Sequence, residues 1–329
     1  MDHDTGHGDR TPVRLVVLEP TGVPDTVLRD VLATLPDRVE VTCHDRRPRD
    51  DAELVGWARD AEILIVAALP LRAEVLAQCP VLRHIAVAFV GVDHVDVGHC
   101  RARGITVNNC PGYSDQSVAE LVVLLILALS RSLPAADAAV RSGGGRAGLR
   151  AAGLPSAELS GKTVGIIGAG RIGRRTAELV RAFGARTVAW NRTPRQVDGL
   201  EFLPLDEVMA TADIVSVHLR YTPETTGFID ERLLGLMSPG ALFINTARGQ
   251  VVDNAALARA LTAGRLAGAG IDVFDHEPPL PADDPLLAAP HTVFTPHTGY
   301  ATDEALARRI RETVDAVRAF LAGAPVNLV

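Results

Sequence analysis

The stretch that decides the fold is Val164-Gly165-Ile166-Ile167-Gly168-Ala169-Gly170-Arg171-Ile172-Gly173. It begins with β-branched residues typical of a strand, and Arg174–Phe183 after it is predicted to be helical. Gly168 permits a tight turn, Gly170 lets the backbone approach a pyrophosphate, and Gly173 lets the helix pack closely on the strand. Strand, GxGxxG and helix together predict a dinucleotide-binding unit with the phosphates at the helix N-terminus. The alternative is a glycine turn that binds no nucleotide.

Short stretches rich in Val and Ile recur on both sides of this turn, with helical stretches between them. Before the turn the predicted strands are Arg14–Pro20, Val39–His44, Ile63–Ala68, His84–Phe89 and Ile105–Asn109. From the turn onwards they are Thr163–Gly168, Thr187–Asn191, Ile214–Leu219, Ala241–Thr246, Gly268–Phe274 and Thr292–Thr295. Continuously apolar strands are typical of parallel sheets covered by helices on both faces. We therefore predict an α/β fold with two doubly wound parallel-sheet domains.

Composition and charge argue against several classes of protein. The chain has 329 residues, which suits two domains. Its formal net charge is −7 and it has no long Lys/Arg block, which argues against a nucleic-acid partner. The longest apolar run, Leu121–Leu129, is shorter than the ~20 residues that span a bilayer. We therefore predict a buried helix over Ser114–Arg131 and no membrane partner. The four cysteines form no CxxC pair, so we expect free thiols in the cytoplasm.

The next predicted strand should show which nucleotide binds, and it ends at Trp190-Asn191-Arg192-Thr193. An acidic residue at this point would hold the ribose 2′-hydroxyl of NAD, but no carboxylate is present. Arg192 can instead pair with a 2′-phosphate, and Thr193 can donate a hydrogen bond to it. We therefore predict NADP(H) in preference to NAD(H). The alternative is that Arg192 is a surface residue and NAD binds through Asn191.

Three later segments carry polar residues where a predicted strand ends. They are Asn245-Thr246-Ala247-Arg248-Gly249, Asp272-Val273-Phe274-Asp275-His276-Glu277-Pro278 and Thr295-Pro296-His297-Thr298-Gly299. In an open parallel sheet the carboxyl ends of the strands line the ligand crevice. Arg248, Glu277 and His297 are therefore predicted to converge beside the nicotinamide.

With these motifs in place, the chain resembles the D-isomer-specific 2-hydroxyacid dehydrogenase family from about residue 60 to residue 322. Besides the segments above, the resemblance rests on Gly91-Val92-Asp93-His94-Val95-Asp96, Asn109-Cys110-Pro111-Gly112-Tyr113-Ser114 and Val118-Ala119-Glu120. It implies a Rossmann cofactor domain, residues 110–299, inserted in a flavodoxin-like substrate domain made of residues 1–109 and 300–329. It also implies a homodimer whose interface is formed largely by the helix Ser114–Arg131.

The resemblance further implies roles for single residues in catalysis. His297 would be the general acid in ketone reduction, and Glu277 would pair with its ring, fix its tautomer and keep a proton available near neutrality. Arg248 would clamp the substrate carboxylate and polarise the adjacent carbonyl. Backbone N–H groups near Val90 and Gly91 would hold the other carboxylate oxygen. The reaction would require no metal.

A second set of residues is expected to hold the cofactor. Asp272 would accept a hydrogen bond from the nicotinamide amide, and His218 is expected to touch the adenosine rather than the substrate. The full set is Gly168, Gly170, Arg171, Ile172, Gly173, Asn191, Arg192, Thr193, His218, Thr222, Thr246, Asp272 and Gly299.

The chain departs from the family pattern at two places that carry arginine. Arg220 stands where many relatives have proline, and it could add positive charge near the adenosine phosphates or be a solvated loop residue. The stretch Arg141–Arg150 lacks the tryptophan that many relatives carry before the cofactor domain. Arg146 or Arg150 could enter the substrate pocket there, which leaves the substrate class open.

Three small or apolar residues bear on the substrate. Val90 stands where phosphite-oxidising relatives have lysine, which argues against that chemistry. Ala67 and Ala68 suggest a small apolar wall. These features favour NAD(P)H-dependent reduction of a short 2-oxo acid, such as glyoxylate or hydroxypyruvate, to a D-2-hydroxy acid. One alternative is a specialised reductase of a phosphonate-bearing or aryl 2-oxo acid in secondary metabolism. The other is an NAD(H)-sensing corepressor that binds peptide motifs.

Overall fold

The computed structural model describes residues 12–145, 156–193, 196–276 and 280–329. Two compact units are present. The first unit comprises the described parts of Met1–Ser114 together with Thr302–Val329, and the second comprises those of Asp115–Ala301. Each contains one parallel sheet with helices on both faces. The prediction of two doubly wound α/β domains is therefore confirmed.

The first unit has a five-stranded sheet in the order β2-β1-β3-β4-β5, which is the flavodoxin-like order. Its strands are β1 (Val13–Val17), β2 (Val39–Cys43), β3 (Ile63–Val66), β4 (His84–Val87) and β5 (Thr106–Asn108). Its helices are α1 (Asp25–Leu32), α2 (Asp51–Ala58), α3 (Ala73–Leu76), α4 (Val97–Ala102) and, at the other end of the chain, α12 (Asp303–Leu321).

The central strands of this sheet are buried on both faces because alternate apolar residues meet different helices. One face carries Leu15, Val17 and Ile65, and it packs against Ile310 and Val314 of α12. The opposite face packs against α2, α3 and α4. The final residues run along the edge of β5, where the Val329 N–H donates to the Val107 carbonyl at 3.0 Å. All five strands therefore come from the first chain segment, and the second segment covers one face of the sheet and lines its edge.

The second unit has a seven-stranded sheet in the order β12-β11-β10-β9-β6-β7-β8. Its strands are β6 (Thr163–Ile167), β7 (Arg186–Trp190), β8 (Glu201–Phe202), β9 (Ile214–Val217), β10 (Leu242–Asn245), β11 (Gly268–Ile271) and β12 (Thr292–Phe294). Its helices are α5 (Asp115–Ser130), α6 (Leu133–Arg141), α7 (Arg171–Ala182), α8 (Leu205–Thr211), α9 (Glu231–Leu236), α10 (Asn254–Thr262) and α11 (Pro285–Ala288). From β6 the chain adds β7 and β8 on one side of the sheet, and it then adds β9 to β12 on the other side. A dinucleotide crevice usually lies at the point where this strand order reverses, here between β6 and β9.

The apolar helix α5 packs against α7 and against β10, β11 and β12. Gly270 of β11 makes this close packing possible, because a Cβ there would lie 2.9 Å from the Cβ of Leu125. Within the described ranges no single helix is long and apolar enough to cross a bilayer. Helices α5 and α6 have the required length and apolar composition only when they are taken together, and they are bent by 59° relative to each other.

The structure differs from the sequence prediction at several element ends. Helix α7 begins at Arg171, three residues before the predicted start at Arg174. Helix α6 and the short strand β8 were not predicted. Most predicted strands were too long at their carboxyl ends, since the residues after each ladder turn into loops. The loops at these strand ends carry most of the candidate site residues.

Candidate active site

Three adjacent strands of the second unit end level with one another. In the sheet register Asn245 of β10 lies opposite Ile271 of β11, and Ile271 lies opposite Phe294 of β12. Arg248, Asp272 and His297 follow these strands within three residues, so all three belong to loops on one edge of the sheet. The structure therefore brings together the loops that carry Arg248 and His297. Glu277 lies outside the described residues.

Asp272 organises the loop that carries His297. Its carboxylate is 1% exposed and accepts hydrogen bonds from the Thr295 hydroxyl at 2.6 Å, the Thr298 N–H at 2.8 Å and the Gly299 N–H at 3.0 Å. Its backbone carbonyl accepts the His297 N–H at 2.8 Å. Because one buried carboxylate takes three donors from this loop, the loop has little freedom to move.

His297 itself adopts a left-handed backbone conformation, with φ of +54°. This conformation is uncommon for a residue other than glycine and is found where surrounding contacts hold it in place. The imidazole is half-buried, and its centroid lies 5.7 Å from that of Tyr300 with the two rings nearly perpendicular. The strain and the Asp272 contacts together fix the direction in which this imidazole leaves the backbone.

Arg248 is held by the end of β10 and by the neighbouring loop. The Asn245 amide N–H donates to the Arg248 carbonyl at 3.0 Å, and the Asn245 side-chain oxygen accepts the Ala247 N–H at 3.0 Å. The guanidinium is half-buried and donates to the Ala247 carbonyl at 2.8 Å. Next to it, Gly249 lies against the backbone of the Phe274–Asp275 segment, where a Cβ would overlap the Phe274 carbonyl carbon.

The glycine turn after β6 has the geometry of a phosphate cradle. Gly168 has φ of +101°, and a Cβ there would lie 2.8 Å from the His218 carbonyl oxygen. A Cβ at Gly173 would overlap the Gly168 carbonyl, whereas at Gly170 it would meet no atom of the described part of the chain within 4 Å. Among the described residues no side chain caps helix α7, which begins directly after Gly170 with Arg171 and Ile172. Open space beside Gly170 and an uncapped helix N-terminus fit a dinucleotide pyrophosphate.

A buried hydroxyl gives a second observation that fits a cofactor. Thr246, 8% exposed, follows β10, and its Oγ1 makes no hydrogen bond among the described residues. A buried hydroxyl without a partner costs free energy, so a bound ligand that supplies a partner would stabilise the site. The residues present therefore fit a dinucleotide.

The end of β7 shows where the residues expected to select the nucleotide lie. The Asn191 side-chain oxygen accepts the Ala169 N–H at 2.7 Å, so it braces the glycine turn. Arg192 and Thr193 are exposed. A hydrogen bond from Thr222 lowers the pKa of the Glu224 carboxyl, and the charge of Arg192 contributes to the same shift. A cation is therefore available at this strand end, with a carboxylate in its electrostatic range.

His218 and Arg220 follow β9. The His218 Nε2 lies 2.9 Å from the Ser216 hydroxyl, and burial lowers the pKa of this imidazole to about 4, so it is neutral at physiological pH. Arg220 is exposed, and its carbonyl accepts the Thr225 hydroxyl at 2.8 Å. Thr222 caps a short 3₁₀ turn through reciprocal hydrogen bonds with Thr225. Arg146 and Arg150, the other arginines considered for the site, lie outside the described residues.

In the first unit, Val90 and Gly91 follow β4. Val90 is 41% exposed, and its carbonyl accepts the Asn109 side-chain N–H at 2.7 Å. The sequence motifs did not indicate that Asn109 braces this loop. Nor did they indicate Glu19, a buried carboxylate beyond the end of β1. Both residues follow strands at the same edge of the sheet, so the reasoning applied to Arg248 could have marked their positions, although not their hydrogen-bond partners.

Two α/β units, one of which has a glycine turn with the space and free N–H groups for a dinucleotide, define a nucleotide-dependent class of protein. A family model described as "D-isomer specific 2-hydroxyacid dehydrogenase, NAD binding domain" matches residues 123–299. The chain therefore belongs to the D-isomer specific 2-hydroxyacid dehydrogenase family.

Similar proteins carry several names. D-3-phosphoglycerate dehydrogenase of Mycobacterium tuberculosis (strain ATCC 25618 / H37Rv) is 42% identical over 306 residues, 92% of this chain and 56% of that protein. The chain thus spans about half the length of such curated relatives. Glyoxylate reductase of Korarchaeum cryptofilum is 35% identical over 291 residues, 87% of each chain. The solved structure of an acyclic imino acid reductase (Bsp5) with NADPH and D-Arg superposes with a TM-score of 0.87 at 29% identity, covering 96% of this chain and 100% of that chain.

Proposed function

We propose that the protein is an NAD(P)H-dependent reductase that converts a short 2-oxo acid to a D-2-hydroxy acid. The observation that carries the proposal is the common edge of β10, β11 and β12, where the loops bearing Arg248, Asp272 and His297 lie side by side. Membership of the 2-hydroxyacid dehydrogenase family supports it.

Each residue of the proposed site has one task. Arg248 binds the substrate carboxylate through its planar fork, and the backbone N–H groups at Val90 and Gly91 take the other oxygen. His297 donates a proton to the carbonyl oxygen as negative charge develops there, and Glu277 fixes the tautomer of its ring. The dinucleotide, which the glycine turn after β6 would hold, would supply the hydride for the carbonyl carbon. The reaction needs no metal ion.

A panel of 2-oxo acids with NADPH and NADH, followed by nicotinamide absorbance, tests the proposal. We expect turnover of short 2-oxo acids, and a loss of roughly 10²–10⁴ in kcat for His297→Asn, because positioned proton transfer is worth that much. Arg248→Lys should raise KM roughly tenfold or more, since a point charge replaces a bidentate fork.

Arg259→Lys is the matched control, because Arg259 is exposed and pairs with Glu231 at 3.2 Å. Its kinetics should match those of the parent. Absence of turnover on every acid of the panel would contradict the proposed function. If His297→Asn also kept its biological effect and its cofactor affinity, a corepressor-like binding protein would be the better description.

We further propose that NADP(H) is preferred to NAD(H). The residues after β7 include no carboxylate that could hold the ribose 2′-hydroxyl of NAD. They include the exposed Arg192, whose positive charge suits a 2′-phosphate. The imino acid reductase of similar structure was solved with NADPH. Arg192→Ala should lower the ratio of kcat/KM with NADPH to kcat/KM with NADH. Arg186 is also exposed on β7, and Arg186→Ala should leave this ratio unchanged. A parent enzyme that works better with NADH would contradict this preference.

We propose a homodimer in which α5 and α6 contribute much of the interface. Helix α6 has no buried residue, and its apolar side chains Leu133 and Val140 are 54% and 69% exposed. Leu124 of α5 is 55% exposed. Exposed apolar side chains on neighbouring elements mark interaction surfaces. In sedimentation, L133E/V140E should be a monomer and Leu287→Glu, at an exposed site on α11, should remain a dimer. A monomeric parent would overturn the proposal.

We propose a cytoplasmic location, since the four cysteines are free thiols and a reducing compartment keeps thiols in that form. Fractionation of the source cells would test it, and recovery outside the cytoplasm would contradict it.

A further inference from the structure

Glu19 occupies an anion cradle formed by the backbone of its own chain. It follows β1, is 3% exposed, and its Oε1 accepts hydrogen bonds from three consecutive N–H groups. The donors are Ala67 at 2.9 Å, Ala68 at 2.7 Å and Leu69 at 2.7 Å. Successive backbone N–H groups that converge in this way make a concavity that binds anions. Here the anion is a side chain.

The second oxygen of Glu19 holds a nearby cation. Arg47 donates from Nε to Oε2 at 2.8 Å, and its side chain is 58% exposed. A guanidinium and three N–H groups would together suit a carboxylate or phosphate on a ligand. Glu19 takes the three backbone N–H groups and one of the five N–H groups of Arg47, so the backbone donors are not left for such a group. The three residues of the cradle have apolar side chains that offer no replacement donor.

This cradle lies beside the loop proposed to hold the substrate. Strand β3 stands between β1 and β4 in the sheet, and the Ala88 N–H donates to the Val66 carbonyl at 2.7 Å. The residues after Val66 and after Ala88 therefore leave the sheet together on one edge. The Ala67–Leu69 cradle is thus next to Val90 and Gly91, all within the first unit.

We propose that Glu19 is a specificity-determining residue that rejects substrates with a second anionic group. A 2-oxo acid whose far end is small and uncharged would contact the methyl groups of Ala67 and Ala68. One whose far end is a carboxylate or phosphate finds an occupied cradle and a buried negative charge. The proposal rests on the proposed function and adds a substrate class to it: short 2-oxo acids with an uncharged substituent.

Paired substrates of similar size test the proposal. Hydroxypyruvate against 3-phosphohydroxypyruvate, and 2-oxobutyrate against oxaloacetate, give the ratio of kcat/KM for a neutral to an anionic far end. We expect the parent enzyme to favour the neutral member at least tenfold in both pairs. Glu19→Gln keeps an acceptor oxygen but loses the charge, and it should reduce the ratio at least fivefold. Glu19→Ala frees the donors, so inorganic phosphate should become a competitive inhibitor.

Glu62→Gln is the matched control, because this carboxylate of the first unit pairs with Arg83 at 3.3 Å and precedes β3, whereas the cradle follows β3. It should leave the ratio unchanged. If Glu19→Ala does not fold, Glu19→Gln decides. An equal loss of kcat/KM on all four acids in Glu19→Gln would show a structural brace and overturn the proposal. So would a parent enzyme that uses the anionic members equally well. A parent inactive on every 2-oxo acid would instead overturn the proposed function.

Discussion

Gly249, beside the candidate substrate clamp, is a position where one methyl group should be costly. A Cβ there would overlap the backbone of Phe274 and Asp275, which cannot move as a flexible side chain could. We predict that Gly249→Ala lowers the free energy of unfolding by roughly 1–3 kcal/mol, the usual range for overpacking, and lowers turnover by displacing Arg248. Urea unfolding and steady-state kinetics measure the two effects.

The control is Gly56→Ala in helix α2, where a Cβ would meet no atom of the residues that the structure describes within 4 Å. Alanine is the better helix former by ~1 kcal/mol, so this variant should be as stable as the parent or more so. Equal stability of Gly249→Ala and the parent would show that the loop after β11 adapts to the added methyl group.

At the residue scale, the sequence predicted the site residues that obey one rule, namely that ligand-binding side chains follow the carboxyl ends of parallel strands. Arg248 and His297 follow predicted strands, and the structure places both at one sheet edge; their chemical roles stay predictions. Glu19 was missed because its buried carboxylate has meaning only beside backbone N–H groups almost fifty residues away. A sequence does not display which N–H groups converge. The φ of +54° at His297 was equally hidden, since it depends on the contacts made by Asp272.

At the scale of elements, the packing of α5 on the second sheet depends on Gly270. A Cβ at this position would lie 2.9 Å from the Leu125 Cβ and 3.0 Å from the Ile244 Cδ1. We predict that Gly270→Ala pushes α5 from the sheet and costs roughly 1–3 kcal/mol of unfolding free energy. Gly235→Ala in α9, where a Cβ would meet no described atom within 4 Å, should have the same melting temperature as the parent. A Gly270→Ala variant with unchanged thermal stability would contradict the argument.

The elements themselves were predicted well where their pattern was long. The GxGxxG turn and the strands rich in Val and Ile predicted two parallel sheets, and the structure confirms both. Helix α6 was missed because Pro134 lies next to its start and reads as a helix breaker, although proline is tolerated in a first turn. Strand β8 has two residues, one of them charged, and carries no periodic signal. Strand ends were misplaced because apolar residues continue into the loops.

At the scale of the whole molecule, buried histidine should make stability depend on pH. His84 is fully buried, stacks on Phe320 at 4.2 Å, and burial lowers the pKa of its imidazole to about 4. In the unfolded chain the pKa is near 6.5. Above pH 6.5 the His84 imidazole is neutral in both the folded and the unfolded chain, so it does not change the free energy of unfolding. As pH falls from 6.5 to 4, only the unfolded chain takes up the proton, and the folded state loses about 3 kcal/mol.

Urea unfolding at pH 7.5 and pH 4.5 measures this loss. The difference in unfolding free energy between the two pH values should be smaller in His84→Gln, which cannot take up the proton, than in the parent. Identical pH dependence in the parent and His84→Gln would show that other groups account for the slope.

The discontinuous first unit has a consequence for the nascent protein. Leu15, Val17 and Ile65 are made early, but the helix that covers them, through Ile310 and Val314, leaves the ribosome only after Asp115–Ala301. Throughout that interval the early strands expose an apolar surface to water while the intervening unit can already fold. Chaperone demand during translation should therefore peak before Thr302 emerges, and a circular permutant that starts at Thr302 should relieve it.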